Sequence, residues 1–259
     1  MRRKFGQHFL FDPSILRKIV EGAEVSKRDL VVEIGPGKGR LTELLAEKAR
    51  EVIAIEIDDR LCDELRVNLL PRYHNIRLHC QDVLKYPFGE LPDFKVVANI
   101  PYYITTPIIF KLIEDGKNMH SATLTIQKEV AERIVASPGR KDYGVLSLMV
   151  QYFTEPEILF NIPRGAFVPP PRVDSAVIRL IKRTVPAVDV KNERLFFKII
   201  KRAFSQRRKT ILNSLKIFNK DMKSIFDDLS IDPKVRPETL SIEDFARISD
   251  KIYELSKKA

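Results

Sequence analysis

Glu33, Glu56 and Asp82 stand at or beside the ends of three successive apolar runs, and Asn99 closes a fourth. Glu33 opens the turn EIGPGKG (33 to 39), where glycines let the backbone bend sharply and approach a ligand while the next helix offers free N–H groups. Gly35 and Gly37 are the positions nearest the strand. The spacing differs from the GxGxxG of a dinucleotide fold, and an acid two residues before the first glycine is ill placed beside a pyrophosphate. It suits a cationic ligand or one with an amino group. Glu56 follows Gly35 by 21 residues, at a strand tip from which a carboxylate accepts both hydroxyls of a ribose. Asp82, in CQDV, is placed to accept from an adenine amino group. Singly, the turn is an ordinary strand-to-helix corner and Glu56 a solvent-facing acid. Three such acids on one side of a sheet describe a nucleoside site.

The fourth run ends in NIPYYITTP (99 to 107). Pro101 fixes the backbone so that the Ile100 carbonyl is not used by a helix. The Asn99 side-chain oxygen and that carbonyl then present two acceptors beside the ring of Tyr102. An exocyclic aromatic amine has two N–H donors to match them and a ring to stack on the tyrosine. Accepting both hydrogens pulls the nitrogen toward a geometry in which its lone pair can attack. On this reading the ring of Tyr102 matters and its hydroxyl does not. The plainer alternative is a proline turn plugged by tyrosines.

The elements that hold these residues read as a βαβ series. Leu30–Ile34, Val52–Ile55, Ile76–His79, Lys95–Ala98 and Thr123–Ile126 are short apolar runs of strand type. Arg40–Ala49, Asp58–Leu70, Pro107–Glu114 and Lys128–Val135 carry apolar residues at helical spacing. The alternation predicts a mostly parallel sheet with helices on both faces. Gly144–Phe153 adds a helix, and Glu157–Ile162 and Ser175–Ile181 are two late strands, close enough in sequence to be antiparallel. After a linker at 184–193 the chain reads as helical. The division expected is residues 1–183 and 184–259.

With 259 residues, 44% of them hydrophobic, the chain can bury a full core. Its longest stretch without a charge, Val96–Phe110, is interrupted by Asn99, two threonines and two prolines and falls short of a membrane span, and the basic N-terminus lacks the apolar stretch of a secretory signal. A cytoplasmic protein is expected. Cys62 and Cys80, without a CxxC or a histidine cluster, read as core thiols, and no metal site is expected. Of the net charge of +10, +6 falls in residues 184–259, where 17 Lys and Arg face 11 Asp and Glu. A basic end attracts a polyanion such as nucleic acid, although a solvated surface has the same composition.

The glycine turn with acids on strands two and three resembles the class I S-adenosylmethionine-dependent methyltransferases, and NIPY is similar to the (N/D)PPY-type motif of enzymes that methylate base amino groups. Four blocks in order, KFGQHFL (Lys4–Leu10), NIPY (Asn99–Tyr102), FVPPPRVDS (Phe167–Ser175) and AFSQRRKT (Ala203–Thr210), resemble the small-subunit ribosomal RNA adenine dimethyltransferase family. The resemblance runs from Lys4 to about Phe245. It implies an α/β fold with a Rossmann-like class I methyltransferase sheet, mostly parallel with an antiparallel last strand, and a small all-helical C-terminal domain. It implies S-adenosylmethionine as methyl donor, held by His8, Leu10, Gly35, Gly37, Glu56, Asp82 and Asn99, with QHFL (7–10) as a flap; many family members carry Asn where His8 stands. Phe167 would form with Tyr102 a clamp for the target adenine, and Arg207, Arg208 and Lys209 would hold the RNA backbone. The expected substrate is a pair of adjacent adenines in the hairpin near the 3′ end of small-subunit rRNA, each gaining two methyl groups, and the expected partner is the small ribosomal subunit precursor. A monomer away from membranes is expected. Neither a metal nor a dedicated general base is needed, because the amine loses its proton readily once alkylated. Two alternatives remain open at this point: a large-subunit rRNA adenine methyltransferase, and a non-catalytic ribosome-assembly or transcription factor on the same fold.

Overall fold

The computed structural model describes residues 8–206 and 209–257. They form two compact units. The first holds the described residues up to Ala131 together with Glu155–Lys182; the second holds Glu132–Thr154 and the chain from Arg183 onward.

The first unit is built on a sheet whose central strands are apolar because helices cover them. In chain order its elements are β1 (Phe9–Leu10), α1 (Pro13–Gly22), β2 (Leu30–Ile34), α2 (Arg40–Lys48), β3 (Glu51–Glu56), α3 (Asp59–Asn68), β4 (Ile76–Cys80), β5 (Phe94–Asn99), α4 (Thr105–Asp115), β6 (Met119–Gln127), α5 (Lys128–Val135), β7 (Thr154–Ile162), β8 (Phe167–Val168) and β9 (Ser175–Lys182); α5 runs on into the second unit. Among the described residues seven strands lie side by side in the order β4-β3-β2-β5-β6-β9-β7. Pairing is parallel from β4 to β6 and antiparallel between β6 and β9. All five residues of β2 are buried, as expected of a central parallel strand. The order reverses at β2, with β3 on one side and β5 on the other, and a crevice at such a switch point is where α/β sheets take ligands.

Three features of this unit depart from the sequence reading. Helix α1 had no counterpart in it, although Asp12 and Pro13 spell a helix start: the Asp12 carboxylate accepts from Ser14 N at 2.8 Å and Pro13 fills the first turn. The separate pair β1–β8 joins Leu10 to Phe167 and Phe9 to Val168, runs too short to show a period. Cys62 and Cys80 are not free thiols. α3 lies against β4 and brings their Cα atoms within 6.2 Å, where the sulfurs are joined as a disulfide.

The second unit is helical. Its elements after α5 are α6 (Val145–Phe153), α7 (Glu193–Phe204), α8 (Ile211–Leu215), α9 (Met222–Asp228) and α10 (Ile242–Ser256). The boundary expected at 183 placed residues 132–154 with the sheet; they belong here instead. The reason is burial: Tyr143, Leu148 and Tyr152 share one apolar cluster with Phe196, Ile199, Phe226 and Phe245. Helix α7 shows the pattern most plainly, with Phe196, Ile199, Ile200, Ala203 and Phe204 on one buried stripe. Among the described residues no helix is long and apolar enough to cross a membrane.

Candidate active site

The ends of four strands, β2 to β5, converge on a common crevice. Gly35, Gly37, Glu56, Asp82, Asn99 and Tyr102 line one cavity, and His8, Phe9 and Phe167 complete its wall. Leu10 lines the adjoining hollow, which shares Gly35, Gly37 and Asn99 and adds Glu33. The structure thus brings together the residues selected at four strand ends and the three supplied by the flap and the proline-rich loop. Lys209 is exposed in the second unit. Arg207 and Arg208 lie outside the described residues, as do Lys4 to Gln7 of the first block.

The glycine turn is shaped for a ligand. Gly35 and Gly37 have φ of +69° and +59°, the left-handed region that an L side chain rarely adopts. A Cβ on Gly35 would meet nothing within 4 Å, so open space lies there, whereas one on Gly37 would come within 2.9 Å of the Phe9 ring. The flap therefore closes over Gly37 and leaves the room at Gly35.

Glu56 is 3% exposed and organises this corner. One carboxylate oxygen accepts from Ile57 N and Asp58 N, both at 2.9 Å, and the other from Gly37 N at 3.1 Å. A carboxylate has about four acceptor sites, so three are already engaged. Both ribose hydroxyls fit only if one backbone bond yields, and the bond to Gly37 is the longest. Burial pushes the Glu56 carboxyl above its ordinary value, against the pull of those three N–H groups. Asp82 uses one oxygen on Leu84 N at 2.9 Å and keeps the other for the cavity.

Glu33 is 1% exposed, and its Oε2 finds no hydrogen-bond partner. Burial, with the Glu56 charge adding to it and the Thr42 hydroxyl opposing it, raises its carboxyl to about 8. The carboxyl borders the same hollow as Gly35 and Gly37.

At the fourth strand end Asn99 Nδ2 donates to the main-chain oxygen of His8 at 3.2 Å. The amide oxygen is thereby freed. The first bond of the turn at Tyr102–Ile104 runs from Ile104 N to Pro101 O at 3.1 Å, so the Ile100 carbonyl is passed over, as the proline requires. The Tyr102 ring lies 5.7 Å from that of His8 at 28°, and its hydroxyl meets Ser175 Oγ at 2.6 Å. Burial raises the phenol above its usual value and the Ser175 contact opposes the rise. Phe167 is 1% exposed and walls the cavity from β8. The sequence reading passed over Ile57, Tyr103 and Ser175. Ile57 and Tyr103 line the cavity while 45% and 61% exposed, an exposure a run of apolar letters does not reveal.

A parallel sheet with a glycine turn after its first strand of the series, acids on the next two and an amide–proline–tyrosine corner on the fourth defines a Rossmann-like methyltransferase of class I. The comparisons carry this further. The family model for ribosomal RNA adenine dimethylase matches residues 1–254. The ribosomal RNA small subunit methyltransferase A of Geobacillus sp. (strain WCH70) is 47% identical, over 97% of this chain and 91% of its own length; that of Clostridium acetobutylicum is 48% identical, over 97% and 93%. Among solved structures, a dimethyladenosine transferase from Plasmodium falciparum superposes with a TM-score of 0.83 at 31% identity, over 97% of this chain and 98% of that one. The 23S rRNA methyltransferase ErmE gives 0.75 at 29%, over 95% and 99%. The chain belongs to the ribosomal RNA adenine dimethylase family.

Proposed function

We propose that this protein dimethylates the exocyclic amines of two adjacent adenines in the 3′-terminal hairpin of small-subunit rRNA, using S-adenosylmethionine. The observation that carries the reading is the Asn99 corner. An amide whose N–H is tied to the His8 carbonyl, a carbonyl bypassed by a proline turn and a tyrosine ring converge on the cavity that also holds Glu56 and Asp82.

The residues present fit the methyl donor. Glu56 and Asp82 would hold the ribose and the adenine amine of its nucleoside, the space at Gly35 would admit it, and Glu33 with the flap at His8 and Leu10 would enclose its amino-acid tail. When bound, it supplies a methyl group activated by attachment to a sulfonium. The chain's own part is orientation and polarisation. Asn99 Oδ1 and the Ile100 carbonyl accept from the target amine, and Tyr102 with Phe167 fixes the ring. An amine so held would have its lone pair aimed at the methyl group and would give up its proton once alkylated. A second methylation on the same nitrogen would rely on one of the two acceptors, because the monomethylated amine keeps a single N–H.

The second unit, with Arg207, Arg208 and Lys209 in its basic stretch, serves as the RNA-holding part, and the protein acts as a monomer in the cytoplasm. The test is methyl transfer to small ribosomal subunits from a strain lacking the modification, with the product read by mass spectrometry. Two dimethylated adenines near the rRNA 3′ end are expected. Transfer to large-subunit rRNA alone, or RNA binding without transfer, would replace this reading with one of its alternatives.

A further inference from the structure

The Tyr102 hydroxyl has a partner that the sequence did not suggest. Ser175 is the first residue of β9, set opposite Gln127 of β6, and it is 0% exposed. Among the described residues its hydroxyl has one hydrogen-bond partner, Tyr102 Oη at 2.6 Å. A serine hydroxyl buried so completely costs about 1–3 kcal/mol if left unpaired, so the contact holds from both sides. The Tyr102 oxygen lies on the Cβ–Cγ axis of its ring, so holding it fixes χ1 and with it where the ring stands in the cavity.

Ser175 is itself held firmly. The preceding residue, Asp174, accepts from Arg164 N through its carboxylate at 2.9 Å and from Lys128 N through its main-chain oxygen at 3.0 Å. These bonds close the loop from Arg164 to Ser175 at its base. The middle of the same loop carries Phe167 and Val168, paired with the flap, and Pro169, whose carbonyl meets His8 Nδ1 at 2.8 Å. The loop that walls the cavity with Phe167 thus also grips the far end of Tyr102. Two rings meant for one base are set by one piece of backbone.

We propose that Ser175 is a positioning residue for methyl transfer, its hydroxyl fixing where the Tyr102 ring stands against the target adenine. The inference rests on the reading of Tyr102 as the adenine platform. It changes what the hydroxyl is for. Replacing Tyr102 by Phe keeps the stacking surface but leaves Ser175 Oγ buried without a partner and the ring free to shift about χ1.

The test is a double-mutant cycle of wild type, Ser175→Ala, Tyr102→Phe and the double variant. It is read by single-turnover methylation of unmodified small subunits and by the fluorescence of a 2-aminopurine placed at the target position of the hairpin RNA. Each single variant should lower the rate at saturating RNA about tenfold, the size of one hydrogen bond, with weaker fluorescence quenching on binding. The double variant should be no slower than the slower single one, and calorimetry should find the affinity for S-adenosylmethionine unchanged. Additive losses, or a wild-type rate and quench in Ser175→Ala, would overturn the proposal. If Ser175→Ala does not fold, Tyr102→Phe decides alone: a rate equal to wild type rejects the role. A wild-type protein that transfers no methyl group to small subunits removes the functional reading, and this proposal with it, whereas failure of the cycle in an active enzyme removes the proposal only.

Discussion

The amide of Asn99 is held by the carbonyl of His8, Nδ2 to O at 3.2 Å, across 91 residues of sequence. The bond decides which end of the amide faces the cavity. A carbonyl can only accept, so the amide nitrogen is committed to it and Oδ1 is left as an acceptor. The flap over the glycine turn therefore also orients Asn99, the residue proposed to polarise the target amine.

If that orientation matters, Asn99→Ala lowers the single-turnover rate at saturating RNA by about 10²–10³-fold, the loss typical of one positioned polar group. Asn99→Asp is informative in a second way. It keeps an acceptor but sets a carboxylate against the His8 carbonyl, so it should lose donor affinity as well as rate. Near-wild-type chemistry in the alanine variant would rule out the polarising role.

Glu56→Ala should weaken S-adenosylmethionine binding by more than a single lost contact. The carboxylate also accepts from Gly37 N, Ile57 N and Asp58 N, and those three bonds shape the wall of the cavity proposed to take the nucleoside. A loss of about 1.5–3 kcal/mol is expected for the charge-assisted part alone. Glu56→Gln should fall between alanine and wild type, since it keeps one acceptor oxygen. Calorimetry on the three proteins gives the order, and equal affinities would reduce Glu56 to a backbone brace.

Glu33 makes a prediction about stability. Its carboxyl is raised from an ordinary 4.5 to about 8 by burial, so the folded state binds the proton more tightly than the unfolded state does. The stability it allows is fully present below pH 4.5 and is lost as the pH rises toward 8. Glu33→Gln, which mimics the protonated acid, should match wild type at pH 4 to 5. At pH 8 it should be more stable by about 2–4 kcal/mol in the ligand-free protein. Thermal melting at both ends of that range checks the sign, and a variant equally or less stable at pH 8 contradicts it.

What the sequence disclosed follows from how each element buries itself. β2 is covered on both faces and reads as LVVEI without interruption, so its end, and with it the glycine turn, could be located. The acids at the tips of β3 and just beyond β4 followed from the same logic. The pairing of Leu10 with Phe167 and the bond between Tyr102 and Ser175 were not legible, since they join residues 157 and 73 positions apart, which no local period relates. Residues 132–154 were assigned by their place in the chain, whereas Tyr143 and Tyr152 are buried with helices that come about fifty residues later. The flap and the proline-rich loop entered the site through the family resemblance, and only the fold shows what holds them there.

The basic stretch at 207–209 supplies the last prediction. Helix α7 carries Lys201 and Arg202 in its last turn, and Arg207, Arg208 and Lys209 follow within a few residues, a density of cations suited to phosphates. Replacing Arg207, Arg208 and Lys209 by Ala should weaken binding to small subunits and lower the slope of log affinity against log salt by roughly one unit per lost phosphate contact. The affinity for S-adenosylmethionine should not change, because the residues that line the donor cavity all belong to the first unit. Filter binding at four salt concentrations separates the outcomes. A parallel shift at constant slope would mean that the residues act through shape rather than charge, and no shift would leave them as a solvated face with the RNA contact elsewhere.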